Sequence, residues 1–173
     1  FTPVAVSNGG KVAYAINRAK EDKLVYMKNL DEGTKENVAS DYYYLGMTNA
    51  TGEQIMYFTN DYHTMVFDTS MEKPVRVAKS EVYPVFPSNA VGIISNFKSF
   101  IGNNDGKLIK YTLKGDEYVD EKIAAYDNYY LSADGSKLAI TDGSDIYTMA
   151  AKPEAKEKVI YEDLYSTWLY ANT

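Results

Sequence analysis

Two Asp-Gly pairs set between short apolar runs constrain the fold of this chain more than any other feature. The stretch Tyr129–Tyr161 reads as four strands joined by three turns. Ala133-Asp134-Gly135-Ser136 ends the first strand, and Asp142-Gly143-Ser144-Asp145 separates the second from the third. A Lys/Pro/Glu segment leads into the fourth, Glu157–Tyr161. Asp-Gly between apolar runs marks a hairpin, because the turn needs a positive φ that Gly adopts without a Cβ clash.

This unit recurs. A small hydroxyl residue closes each first strand at Ser7, Thr48, Ser88 and Ser132, giving spacings of 41, 40 and 44. The third-strand aromatic recurs at Tyr26, Phe67, Tyr111 and Tyr147, and an acid opens later units at Asp41, Glu81, Asp127 and Asp163. The anchors agree on a period near 40, which with four strands per unit predicts propeller blades. The expected repeats are 1–39, 40–79, 80–126 and 127–162, within one all-β domain or part of one. Residues 163–173 repeat the opening of a blade and are expected to be the first strand of a fifth. An arc of four blades would leave two bare outer faces, so further blades are expected from the same chain or from a second copy. A β-sandwich is the alternative, since it also uses short strands with frequent turns. A helical solenoid is disfavoured: no apolar stripe at i, i+3, i+4 is sustained, and Tyr, Val, Ile and Thr dominate.

The third unit is the least regular. Val82–Ser88 reads as its first strand and Val91–Asn96 as its second, but Pro84 and Pro87 cannot donate to a central ladder. Ile94-Ser95 closes the first strand equally well, which would make Val82–Asn89 an insertion.

The residue inventory narrows the function. A net charge of −6 disfavours nucleic acid, whose phosphates are bound by Lys and Arg. With no Cys there is no disulfide, thiolate nucleophile or zinc–thiolate site. No segment approaches the roughly 20 apolar residues of a membrane span. The chain begins at Phe1, which suggests that an upstream segment was removed. His63, the one histidine, is expected to be structural, with no nucleophile or orienting partner implied by any motif. Asn103-Asn104-Asp105-Gly106 and Asp142–Asp145 cluster oxygen atoms as calcium would require. They lack the spacing of a calcium loop, and turns use the same residues for conformational reasons. No catalytic residue, metal or cofactor is expected.

What remains is the acid–aromatic opening of each unit: Asp41-Tyr42-Tyr43-Tyr44, Glu81-Val82-Tyr83, Asp127-Asn128-Tyr129-Tyr130 and Asp163-Leu164-Tyr165. In a propeller these segments enter the innermost strands, so the copies would ring one face. The candidate ligand-binding residues are therefore Tyr43, Tyr83, Tyr129, Tyr165, Asp41 and Asp127. Tyr offers an apolar face and a polar tip, suited to a peptide, a sugar or a cationic ligand. The structural alternative is that these tyrosines simply pack between blades.

The phrase Leu131-Ser132-Ala133-Asp134-Gly135-Ser136-Lys137-Leu138-Ala139-Ile140-Thr141, followed by Asp145-Ile146-Tyr147-Thr148-Met149, resembles a blade of the TolB-like propellers. The fourth unit is the near match, and the first two carry Asn-Gly-Gly and Asn-Ala-Thr-Gly in place of Asp-Gly. The resemblance transfers no catalytic residue. It implies a noncatalytic module of a secreted or surface-anchored bacterial protein, extracellular or in the cell envelope, that binds a protein or glycan. The alternative is an accessory, substrate-binding part of a hydrolase.

Overall fold

Short runs of alternating residues, cut by Gly and Asn, give sixteen strands and no helix among the described residues. The computed structural model describes residues 2–17, 24–87, 96–125, 128–142 and 145–161. The strands form four sheets, each from a consecutive stretch of chain, each four-stranded and paired in chain order. The first sheet is β1 (Thr2–Val6), β2 (Val12–Asn17), β3 (Leu24–Asn29) and β4 (Lys35–Ala39). The second is β5 (Tyr44–Thr48), β6 (Gln54–Phe58), β7 (Thr64–Asp68) and β8 (Val75–Ala78). The third is β9 (Tyr83–Pro84), β10 (Ser99–Asn104), β11 (Lys107–Lys114) and β12 (Glu117–Ala125). The fourth is β13 (Asn128–Leu131), β14 (Lys137–Asp142), β15 (Asp145–Ala150) and β16 (Lys158–Tyr161). Every pairing within the four sheets is antiparallel. These are propeller blades, and a sandwich of two sheets is excluded.

The same turn builds three of the four blades. Ser7 Oγ accepts a hydrogen bond from Val12 N, Asn49 Oδ1 from Gln54 N, and Ser132 Oγ from Lys137 N. Each time the cap reaches five residues ahead and fixes the start of the second strand. The carbonyl of the same residue accepts from Gly10 N, Gly52 N and Gly135 N, and each of these glycines has φ between 66° and 75°. The repeating anchor in the second blade is thus Asn49, one residue beyond the expected Thr48. Both are small and polar, and only the geometry tells which one caps. Ser88 lies outside the described residues.

The third blade departs from the plan, as its prolines suggested. Its first strand is only Tyr83–Pro84, shorter than the expected Val82–Ser88, and its second strand is Ser99–Asn104. The expected strand Val91–Asn96 falls largely outside the described residues. The Asn103–Gly106 turn therefore joins second and third strands, the place that Asp142–Asp145 holds in the fourth blade.

Three apolar clusters cement the arc, one at each junction. Tyr14 and Ile16 of the first sheet pack with Tyr42, Ile55, Tyr57 and Phe67 of the second. Met56, Val66 and Val77 meet Val82, Phe97, Phe100, Ile109 and Tyr111 at the next junction. Leu108 and Ile123 meet Leu131, Leu138, Ile140 and Met149 at the last. β1 adjoins β5, and Pro87, three residues beyond β9, forms a parallel bridge with Leu131 of β13. Among the described residues no cluster joins the fourth sheet to the first. The expected equivalence of the third-strand aromatics holds for Tyr26 and Tyr147, which pair with Ala15 and Ile140, each eight residues past its blade's cap. Phe67 pairs with Ile55, six past Asn49, so Met65 takes the matching register there, and Tyr111 pairs with Phe100. Burial matches the expectation only in part. Phe67 and Tyr111 are buried, but Tyr147 is half-buried because Met149, two residues along the same face, takes the interior position. The side chain of Tyr26 falls outside what is described.

A polar clasp reinforces the second junction. The buried Gln54 amide donates to Asp68 Oδ2 at 2.7 Å and to Asn96 Oδ1 at 3.2 Å, while its Oε1 accepts from Phe97 N at 2.7 Å. Asp68 also accepts from Ser70 N and Ser70 Oγ, and Lys98 Nζ stands 3.3 Å from its Oδ2. Burial acts to raise the pKa of Asp68, but the bonds from Ser70, Gln54 and Lys98 outweigh it and hold the carboxyl below its usual value.

Two predictions follow from this packing. A Cβ on Gly52 would sit 2.6 Å from Ser7 Cα and 2.8 Å from Val6 O, both backbone of the neighbouring blade, whereas one on Gly135 would meet nothing within 4 Å. Gly135→Ala should cost about 1 kcal/mol, from its left-handed φ alone. Gly52→Ala should cost two to three times as much, because backbone must move as well. Equal losses in denaturant titration would contradict this junction. Because the native pKa of Asp68 is depressed, its contribution is present above the usual carboxylate range and is lost as pH falls through the native value. The melting-temperature gap between wild type and Asp68→Asn should be steady from pH 7 to about 4 and shrink below it. A gap unchanged on further acidification would contradict the clasp.

Candidate functional site

Hairpin geometry brings five aromatic rings together at the entry to β5 and β9. Phe58 ends β6 and is fully buried; its ring lies 5.7 Å from Tyr44 and 5.3 Å from Tyr83, centroid to centroid. Tyr43 lies 6.2 Å from Tyr44 and 5.3 Å from Tyr62. Phe58 is the floor, and the four tyrosines above it are 38–52% exposed. Large apolar faces exposed together on a folded surface mark interaction sites.

Each ring is placed by backbone that has another task. Tyr43 N donates to Phe58 O, which ties the entry of β5 to the end of β6. Tyr62 sits in the connection between β6 and β7. There Tyr62 N donates to Thr59 O, Thr59 N donates to His63 O, and Thr59 Oγ1 accepts from His63 N. This tight closure holds Tyr62 at φ 63°, a left-handed conformation that is unfavourable for a bulky residue. Tyr83 opens the third blade next to the buried Val82, whose N–H donates to Thr64 Oγ1 of the second blade. That hydroxyl in turn donates to Ser80 O at 2.6 Å, so one threonine locks the approach to β9.

Carboxylates flank the rings. Asp41 Oδ1 accepts from Asn60 N across the rim, and Asp61 is exposed beside Tyr62. The Tyr83 hydroxyl donates to Glu81 Oε2 at 3.2 Å. Partial desolvation, the Glu81 charge and the adjacent Tyr44 hydroxyl push Tyr83 up to about 12, so it stays a neutral donor at physiological pH.

The sequence-derived candidates fall into three groups. Tyr43, Tyr83 and Asp41 stand on this rim. Tyr129 is half-buried and lies one step further round: Asn103, paired with Tyr83 across β9 and β10, donates from Nδ2 to the Tyr129 hydroxyl at 3.0 Å. Asp127 and Tyr165 lie outside the described residues. Tyr44, Tyr62, Phe58 and Glu81 were not among the candidates. Tyr62 carried one usable signal, an aromatic in an otherwise polar turn. Among the described residues no three of His, Asp or Glu are grouped so as to hold a metal ion. In the Asn103–Gly106 turn Asn103 Oδ1 accepts from Gly106 N and Asn104 Oδ1 from Ser80 Oγ, so both oxygens are occupied by the fold. The half-buried His63 faces a shallow groove with Asp41, Tyr57 and Arg76. A larger groove, about 1100 Å³, runs between β8 and the β11–β12 hairpin, but its lining of Lys73, Arg76, Asp116 and Glu117 mixes charges without converging.

No protein-family model matches the chain, and no curated protein does. Among solved structures, TolB from Acinetobacter baumannii is 15% identical with a TM-score of 0.45, covering 92% of this chain and 43% of that one. A chain of the nidogen/laminin complex is 11% identical with a TM-score of 0.42, covering 90% and 62%. An oligogalacturonate lyase in complex with manganese is 11% identical with a TM-score of 0.45, covering 92% and 52%. This chain therefore spans less than two thirds of each. No activity or ligand passes from them to this chain.

Proposed function

We propose that this chain is a noncatalytic propeller module that binds a protein or glycan partner through the aromatic rim of its second and third blades. The carrying observation is the exposure of Tyr43, Tyr44, Tyr62 and Tyr83 together above a buried Phe58. Blade packing does not require these four rings to face solvent. Each junction already has its own buried cluster, and Tyr62 occupies its place in spite of an unfavourable φ. An envelope or extracellular setting belongs to the same proposal and is supported by the TolB-like phrase of the fourth unit. So do further blades, from the same polypeptide or a second copy, against the outer faces of the first and fourth sheets. Those faces are only half-buried at Ala13, Ala15, Ala139 and Thr141.

The test is binding by the chain and by its Tyr43→Ala/Tyr83→Ala variant, screened against an oligosaccharide array and a panel of envelope proteins. A partner of the wild type should lose at least about tenfold in affinity, or about 1.4 kcal/mol, with the variant. Its ring-proton resonances on Tyr43, Tyr44, Tyr62 and Tyr83 should shift on binding. A partner that binds both forms equally and perturbs none of these rings would place the function elsewhere.

A further inference from the structure

The rim has a shape and a charge that distinguish among ligand classes. Its rings are steeply inclined to one another: 72° between Tyr43 and Tyr62, 70° between Tyr43 and Tyr44, and 80° between Phe58 and Tyr83. A sugar stacks on a flat aromatic shelf. Rings set at steep angles form the walls of a partial cage, the arrangement in which a cation meets the negative faces of several rings at once. The electrostatics point the same way. From Glu36 to Glu72 the sequence contains no Lys or Arg, a stretch that supplies four of the five rings and includes Asp41 and Asp61. Glu81 adds a third carboxylate beside Tyr83. The next cations along the chain, Lys73, Arg76 and Lys79, line the groove at the outer edge of the blades, with β8, and Arg76 also lines the shallow groove that Asp41 shares with His63. The rim thus combines apolar walls, negative quadrupoles and carboxylates around a surface whose own segment carries no positive side chain.

We infer that the partner of this rim is a protein segment that presents Lys or Arg side chains, with at least one cationic head held between Tyr43, Tyr44 and Tyr62 and steered by Asp41, Asp61 and Glu81. This rests on the rim being the binding surface and narrows its partner to a basic peptide. A guanidinium or ammonium would take a cation–π contact from the ring walls and charge attraction from the carboxylates. Its methylene stem would cover apolar ring surface.

Calorimetry on the chain tests this with four probes: an Arg-containing and a Lys-containing peptide, the same peptide with citrulline for Arg, and a neutral hexasaccharide of N-acetylglucosamine. The basic peptides should bind, and the citrulline peptide should bind about tenfold more weakly or not at all. Raising the salt from 0.05 to 0.5 M should weaken the basic peptides several-fold. Two variants separate the rim from the general attraction of an acidic protein for basic peptides. Tyr62→Gly leaves the net charge unchanged and relieves the left-handed φ. It should keep or raise the melting temperature while lowering affinity about tenfold. Glu81→Gln should lower affinity with the fold intact. Basic peptides that bind Tyr62→Gly as tightly as wild type would overturn the inference. So would citrulline and Arg peptides of equal affinity, or the hexasaccharide shifting the rim tyrosines when the basic peptides do not; in that last case the rim remains the binding surface. No probe reaching the rim would overturn both.

Discussion

Everything else in this molecule depends on one strand that is buried on both faces. All five residues of β6, Gln54–Phe58, are buried. Ile55 and Tyr57 belong to the core shared with the first blade, and Met56 to the core shared with the third. A lone four-stranded sheet of this size could not bury enough apolar surface to offset the entropy of ordering it. The blade is stable because a neighbour covers each face. Sequence period and fold are thus two views of one constraint: a unit near 40 residues is what one blade needs, and only repetition lets it fold. The same strand carries a buried polar side chain that ties one blade to the next. Gln54 spends both ends of its amide on the junction, holding Asp68 on its own blade and Asn96 and Phe97 on the next. A buried amide left without those partners would cost on the order of 1–3 kcal/mol.

The site follows from this packing. Phe58 is the last residue of the doubly buried strand, and Tyr43 is hydrogen-bonded to its carbonyl, so the rim stands directly on the most constrained part of the fold. A rigid floor would keep the ordering cost of the proposed binding low, because the rings are already placed. Thr64 does the same for the third blade, tying Ser80 and Val82 in place so that Tyr83 reaches the ring of Phe58. The rim is therefore assembled across a blade junction, and its two halves are brought together only when the blades stack.

Much of the fold was legible because blade architecture is written in short-range chemistry. Glycines at positive φ and small polar caps are turn requirements that any nearby residue can see, and so the period was readable. The misplacement of the second anchor by one residue, and the reduction of the third blade's first strand to Tyr83–Pro84, arose where two residues of similar chemistry competed or where proline removed ladder donors. Met149 displacing Tyr147 from the interior is a matter of tertiary fit that no pattern of spacing reveals. The rim was half legible for the same reason. The acid–aromatic openings pointed to Asp41, Tyr43 and Tyr83, since those lie at strand entries. Tyr62 arrives from a different hairpin and Phe58 from the floor, and their proximity exists only in three dimensions.

The central claim is that burial on both faces of β6 sets the stability of the arc, and native-state hydrogen exchange measures this strand by strand. The ladder amides of β6 should be the slowest in the protein, exchanging only through global unfolding and losing protection in parallel with denaturant-measured stability. The amides of β2 and β14, whose outer faces are half-buried, should open through smaller local events. If β6 exchanged faster than β2 or β14, the blades would not depend on one another in this way, and the account of the fold and of the rim built upon it would fail.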